Sequence, residues 1–237
     1  MFGVMFRMQN IMLDICLVVY QRAPKVPEII KQLNKQTNQD FNLNIWNNSI
    51  FPLDVSQFPK DRLKIIHSKT NRGSWSRFLL AKETYSNPII FIDDDEELEP
   101  DFVEYYYQQW LKYGKDCILG GYTKRWQSGE YKNLISPVPV GQEADYVGTG
   151  GMILDREILR KENYFLDIED KYKIVEDTYL CYVARMKYNM KLISIEPKLK
   201  QIDDRQNQSK KLKEYKGIIW KELREKGWKL LFEGIVR

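Results

Sequence analysis

Four short apolar runs, separated by amphipathic or turn-rich stretches, recur through the first 115 residues and restrict the chain to a layered α/β fold. Asp14–Tyr20 (DICLVVY) is β-branched and apolar, as a strand buried on both faces requires. Pro27 then stands in the first turn of a helix whose Val26, Ile29, Ile30 and Leu33 fall at i, i+3, i+4 and i+7. Phe41–Trp46 alternates as a second strand and ends in the turn cluster Asn47-Asn48-Ser49. Leu63–His67 is a third strand, and Asn71–Gly73 punctuates the chain before a helix across roughly Ser74–Tyr85. Pro88–Ile92 (PIIFI) is a fourth, apolar enough for the middle of a covered sheet. Strands alternating with helices predict a mostly parallel central sheet flanked by helices.

The second half reads differently. Residues 117–155 are glycine-rich, with short β-like runs and no helical period, whereas Glu176–Tyr188 returns to helix with Val175, Tyr179, Val183 and Met186 on one face. A basic amphipathic helix near Lys210–Glu225 and the aromatic residues Trp228 and Phe232 follow. The length of 237 residues suits a single domain over 1–237. We divide it into a nucleotide-binding half at about 13–115, an acceptor-binding half at about 116–200 and a basic C-terminal segment at 201–237.

Cys16, Cys117 and Cys181 are widely spaced, with no CxxC pair, and read as reduced small hydrophobes, which points to a cytoplasmic protein. No apolar run approaches the ~20 residues needed to span a bilayer, and Met1–Met12 lacks a signal-peptide pattern, so no transmembrane segment is expected. Peripheral attachment to a membrane stays open. The net charge of +4 is too small to argue for nucleic acid, but its distribution is polarised. Residues 93–101 hold seven acids and no base, while 205–229 hold nine Lys/Arg against three Glu.

The acidic run carries the chemistry. An apolar strand passes straight into Asp93-Asp94-Asp95-Glu96-Glu97, with Pro100 suited to the first turn of a following helix. Ligands of open α/β sheets bind at the carboxyl ends of strands. Packed carboxylates repel one another unless a cation neutralises them, and hard oxygen ligands suit Mg²⁺ or Mn²⁺ on a substrate diphosphate. The competing account is a solvated acidic turn that favours a helix N-terminus. Asp145–Met152 is a glycine-rich stretch, but neither a P-loop nor a GxGxxG fingerprint, which disfavours NTPase and dehydrogenase functions. Glu176-Asp177 opens a helix, as ordinary capping acids do; alternatively, one of them is a general base for a sugar hydroxyl.

In order and spacing these segments resemble family 2 glycosyltransferases of the GT-A fold, across about residues 13–195. Leu17-Val18-Val19-Tyr20-Gln21-Arg22 is similar to the family's opening nucleotide-binding strand, and Gln36-Thr37 to the pair closing its first helix. Asn71-Arg72-Gly73 with Arg77, the DxD-like Asp93-Asp94-Asp95, the glycine acceptor loop Gly148–Met152 and Glu176-Asp177 complete the pattern. The resemblance implies inverting, non-processive transfer of one sugar from a UDP-, GDP- or TDP-linked donor to a glycan or glycoconjugate hydroxyl, with Mn²⁺ or Mg²⁺. It implies donor contacts at Val19, Tyr20, Arg22, Asn71, Arg77, Asp93 and Asp94, metal ligation by Asp95 with Asp93, and catalysis by Asp177 supported by Glu176. Gly150 and Gly151, with Trp126 as a stacking ring, are expected to face the acceptor; Trp75 and Tyr146 are further aromatic candidates.

The departures matter as well. Asn47 takes the place of the family's base-binding Asp, and the only histidine, His67, lies on the third strand and reads as structural. A late metal ligand would fall to Asp203 or Asp204. Lys210 or Lys211 is expected to close over the donor phosphates. The Q-x-x-R-W motif of processive synthases is missing. A sugar-nucleotide pyrophosphorylase would need a glycine/arginine-rich triphosphate loop where Arg22-Ala23-Pro24-Lys25 stands. A non-catalytic sugar- or metal-binding module would show no nucleotide affinity.

Overall fold

The computed structural model describes residues 13–161, 164–165, 168–202 and 211–234. The chain opens with β1 (Leu13–Val19), α1 (Val26–Leu33), β2 (Phe41–Asn47), β3 (Leu63–His67), α2 (Ser76–Lys82) and β4 (Ile89–Asp93). Next come β5 (Glu96–Leu98), α3 (Phe102–Tyr113), β6 (Cys117–Gly120), β7 (Thr123–Trp126), β8 (Leu134–Ile135), β9 (Tyr146–Val147) and β10 (Met152–Leu154). The last elements are α4 (Glu157–Arg160), α5 (Glu176–Tyr188), β11 (Lys191–Ser194), β12 (Leu199–Gln201) and α6 (Lys213–Glu225). Seven strands form the main sheet in the order β11-β6-β10-β4-β1-β2-β3. Only β10 runs against its neighbours, so the sheet is mostly parallel and has the GT-A arrangement.

β1 is buried along all seven residues because it has a strand on each edge and helices over each face. The two-residue period sorts its side chains. Ile15, Leu17 and Val19 enter a layer with Ile30 and Leu33 of α1 and Phe102 of α3. Cys16 enters the opposite layer with Phe78 of α2, Phe91 of β4 and Leu180 of α5. Asp14, buried on the same strand, is held by four donors: Asn42 and Asn44 amides at 3.0 and 3.1 Å, and the Tyr85 and Ser86 backbone N–H groups at 3.1 and 2.7 Å. These four donors offset the cost of burying the carboxylate.

Glu96 and Glu97 form β5, which pairs antiparallel with β12, so the competing account of a solvated acidic turn does not hold for them. The structure departs from the sequence reading at Pro100 and at Trp126. Pro100 lies two residues before α3, outside its first turn. The C-terminal helix is described over Lys213–Glu225, and Lys210 lies outside the described residues. Trp126 packs against Trp220 and Trp228 at ring distances of 5.4 and 5.7 Å and thereby anchors α6 to β7. No helix among the described residues is long and apolar enough to cross a membrane.

Candidate active site

Two cavities open beside the carboxyl ends of β1 and β4. The first, of about 380 Å³, is bounded by Val18, Tyr20, Arg22, Asn48, Asn71, Arg77 and the Asp93–Asp95 run. The second, of about 570 Å³, is bounded by Glu96, Tyr122, Lys124, Tyr146 and Gly150. Asp93, Thr149, Asp177, Gln201 and Lys216 line both, so these five residues mark the junction.

The three aspartates are held in three different ways. Asp94 accepts the Tyr20 backbone N–H at 3.0 Å and Arg22 Nη1 at 3.2 Å, fastening the loop after β1 to the end of β4. Burial raises the Asp94 carboxyl, against the pull of those two donors. Among the described residues the Asp95 carboxylate has only distant partners, Gln201 Nε2 at 3.4 Å and Arg22 Nη2 at 3.7 Å. Burial, then the neighbouring Asp93, push Asp95 up to about 6. Asp93 lies 2.7 Å from Arg77 Nη1 in a close ion pair whose N–H is not aligned on the oxygen.

A divalent cation fits this donor set. Asp95 is raised by burial and then by neighbouring negative charge, and among the described residues it lacks a close partner, a condition a bound cation relieves. The oxygens are hard donors, as Mg²⁺ and Mn²⁺ prefer. Among the described residues no three His, Cys, Asp or Glu groups are placed to hold a metal ion by themselves.

Arg77 ties the aspartates to the start of α5. Its Nε lies 3.2 Å from Glu176 Oε1, and Ser74 Oγ donates to Glu176 Oε2 at 2.6 Å. Burial alone would depress the Arg77 guanidinium, but Asp93, Glu176 and Asp177 together hold it above its usual value. Burial lifts the Glu176 carboxyl, and Arg77 only partly offsets this. The loop that carries Ser74 is set by Asn48, which donates to the Gly73 carbonyl at 3.1 Å and accepts the Arg72 N–H at 2.9 Å. Gly73 turns there at φ +67°, a left-handed conformation natural to glycine.

Asp177 is held through both oxygens. Tyr146 donates its hydroxyl to Oδ2 in a short hydrogen bond. The Thr178 backbone N–H and hydroxyl reach Oδ1 at 2.6 and 3.2 Å. Burial works to raise the carboxyl, yet Lys216, Tyr146 and Lys124 outweigh it and hold Asp177 below its ordinary value. Burial and the Asp177 charge in turn keep Tyr146 well above the usual phenol range, so it remains a donor. The two adjacent acids are therefore driven apart: Asp177 ionised, Glu176 raised.

Not every residue expected at the site is there. Tyr20, Arg22, Asn71, Arg77, Asp93, Asp94, Asp95, Glu176 and Asp177 gather on the first cavity, and Gly150 lines the second. Val19 instead faces the core, and Val18, one residue earlier, lines the cavity. Asn47 is 1% exposed and spends its amide on the Phe51 carbonyl, the Ser49 N–H and His67 Nδ1. Asn48 faces the cavity in its place. Gly151 is a packing glycine at φ +61°, where a Cβ would stand 2.5 Å from Leu199 Cδ2. Trp126, 2% exposed with its indole N–H on the Tyr131 carbonyl, is closed off from any acceptor. Trp75 is likewise core. Lys210, Asp203 and Asp204 lie outside the described residues, and Lys211 is exposed away from both cavities. Thr149, within the expected glycine loop, also lines the site, and Lys124, Gln201 and Lys216 line it without having been singled out, because no local motif marks them.

The sequence matches Glycosyl transferase family 2 over residues 14–191. No curated relative matches it. The fold is similar to the crystal structure of S. aureus TarS, with a TM-score of 0.56 at 15% identity over 78% of this chain and 35% of that one. It is also similar to S. aureus TarS 1-349 in complex with UDP (TM-score 0.55, 16% identity, 78% of this chain and 58% of that one). A third similar structure, TarS 1-349 in complex with UDP-GlcNAc, gives 0.55 at 17% identity over 81% of this chain and 60% of that one. The chain thus spans from about a third to three fifths of the length of these structures.

Proposed function

This chain belongs to Glycosyl transferase family 2, whose members transfer a sugar from a nucleotide sugar, and from that premise we propose that it carries out inverting transfer of a single sugar to a glycan or glycoconjugate hydroxyl. The observation that carries this reading is the position of Asp177, which is ionised, buried and at the junction of the two cavities. The donor would occupy the first cavity and the acceptor the second, so that the reacting carbon lies beside the one carboxylate both can reach.

In this mechanism Asp177 takes the proton of the attacking hydroxyl. Both its oxygens are aimed by fixed donors, Tyr146 on one side and Thr178 on the other, so the base is oriented before substrates arrive. The ion-pair chain Glu176–Arg77–Asp93 sets the spacing between that base and the aspartates. Attack assisted by a base on the far side of the leaving group inverts the anomeric carbon. Asp95 and Asp93 would hold Mn²⁺ or Mg²⁺; when bound, the ion supplies charge neutralisation for the departing diphosphate. Tyr20, Asn48 and Asn71 line the wall available to the nucleoside. The lack of a Q-x-x-R-W motif supports single transfer over polymerisation.

Thermal-shift titration with UDP, GDP and TDP, each with and without Mn²⁺, tests the reading. UDP is the first candidate, because structures of similar fold hold UDP and UDP-GlcNAc. Stabilisation by one nucleotide, dependent on metal, is expected. No stabilisation by any of the three would overturn the proposal and favour a non-catalytic module.

A further inference from the structure

We propose that the acceptor carries an oxyanion, a carboxylate or a phosphate, seated between Lys124 of β7 and Lys216 of α6 in the second cavity. This rests on the reading of that cavity as the acceptor side.

Lys124 and Lys216 are both half-buried and both line the second cavity. Neither has a carboxylate partner within ion-pair distance among the described residues, whereas Lys198 is paired with Glu99, Asp101 and Glu196, and Lys226 with Glu169 and Glu222. Lys124 Nζ instead rests 4.7 Å above the Tyr146 ring. Burial, then the nearby Lys216 charge, lower the Lys124 ammonium, so the two cations sense each other.

Of the three acids on the same wall two are engaged, and Glu96 Oε1 is buried without a hydrogen-bond partner among the described residues. Asp177 has a donor on each oxygen, and Asp93 is paired with Arg77. Glu96 Oε2 accepts the Asp93 N–H at 2.9 Å, while Oε1 abuts Gly150, where a Cβ would stand 2.1 Å away. Both lysines act on Asp177, so one carboxylate serves two half-buried cations, while Asp93 is held by Arg77 and Glu96 packs beside Gly150. Partly buried cations need a compensating anion, and a ligand is the available source. The donor diphosphate does not answer for Lys124, which lines the second cavity and not the first.

The test is NMR-detected titration of the protein, saturated with UDP, using three probes: methyl β-D-glucuronide, glycerol 3-phosphate and the neutral methyl β-D-glucoside. At least one anionic probe should bind about tenfold tighter than the neutral one, as a charge-assisted contact predicts. Which anion wins identifies the group as carboxylate or phosphate. That preference should collapse in Lys124→Gln and in Lys216→Gln, each checked for folding by its thermal melt. Equal affinity for all three probes overturns the proposal. So does a preference that survives Lys124→Gln, since the anion would then sit on the donor side. Failure of UDP itself to bind the unaltered protein would instead refute the underlying assignment of the cavities.

Discussion

Tyr146→Phe isolates what holds Asp177 in its charged form. The substitution keeps the ring that packs beside β7 and removes only the hydroxyl that Asp177 Oδ2 accepts. A hydrogen bond to a buried charged group contributes about 1.5–3 kcal/mol, equivalent to about one to two pKa units of preference for the carboxylate. Asp177 sits below its ordinary value, with burial opposing and Lys216, Tyr146 and Lys124 prevailing. The sign is therefore fixed. Activity and the associated stability are present above the carboxyl's folded-state pKa and are lost as pH falls through it. Removing Tyr146's donor moves that acid limb to higher pH. Once thermal shift has selected the nucleotide, its release from the matching nucleotide sugar, with water as acceptor, gives a kcat/KM–pH profile for both proteins. The acid limb of Tyr146→Phe should shift upward by about one unit or more. An unmoved limb with unchanged kcat refutes the idea that Tyr146 tunes the base.

Three other substitutions or conditions follow from the same geometry. Arg77→Met leaves Asp93 and the buried Glu176 without their cation, so urea unfolding should show a loss of about 3–5 kcal/mol, and a loss below about 1 kcal/mol would contradict the bridging role. Gly150→Ala places a Cβ 2.1 Å from Glu96 Oε1 and 3.2 Å from Tyr122 Cε2. Glu96 is too buried to swing into solvent, so a destabilisation of about 1–3 kcal/mol by thermal melting is expected, and a wild-type melt would refute it. Asp95, pushed up to about 6, must lose its proton to ligate a cation, so Mn²⁺ affinity measured by electron paramagnetic resonance should fall as pH drops through about 6. A flat profile from pH 5 to 7.5 would remove Asp95 from the ligand set.

The parts of this molecule that obey a period were legible in the sequence. β1 and β4 announced themselves as apolar runs, and α5 starts at Glu176, where its acids fall. The site's acids were legible too, because consecutive carboxylates after a buried strand have few structural uses. The misses occur where a period gives out. At the ends of β1 and β2 the residue that faces the cavity was misplaced by one, so Val18 and Asn48 stand where Val19 and Asn47 were expected. Glu96 and Glu97 gave no sign of being a strand, because their partner strand, β12, lies about a hundred residues further on. Tyr146, Lys124 and Lys216 reach Asp177 only through tertiary packing, and no local spacing foretells that. Trp126 shows the converse: a ring of the right type for stacking on sugar, placed by two other tryptophans in the core.

The central claim is that Asp177, at the junction of the cavities, is the base and not a fold-supporting cap. Asp177→Asn preserves shape and keeps an acceptor for Thr178, but it cannot take a proton. With UDP selected as the nucleotide, the decisive measurement pairs UDP affinity with the rate of UDP release from the UDP-sugar that the protein turns over, in the same preparation and with Mn²⁺ present. UDP affinity within about twofold of wild type, together with a rate reduced by about 10²-fold or more, is the predicted result. Retained turnover at wild-type UDP affinity would contradict it and assign the proton to another group.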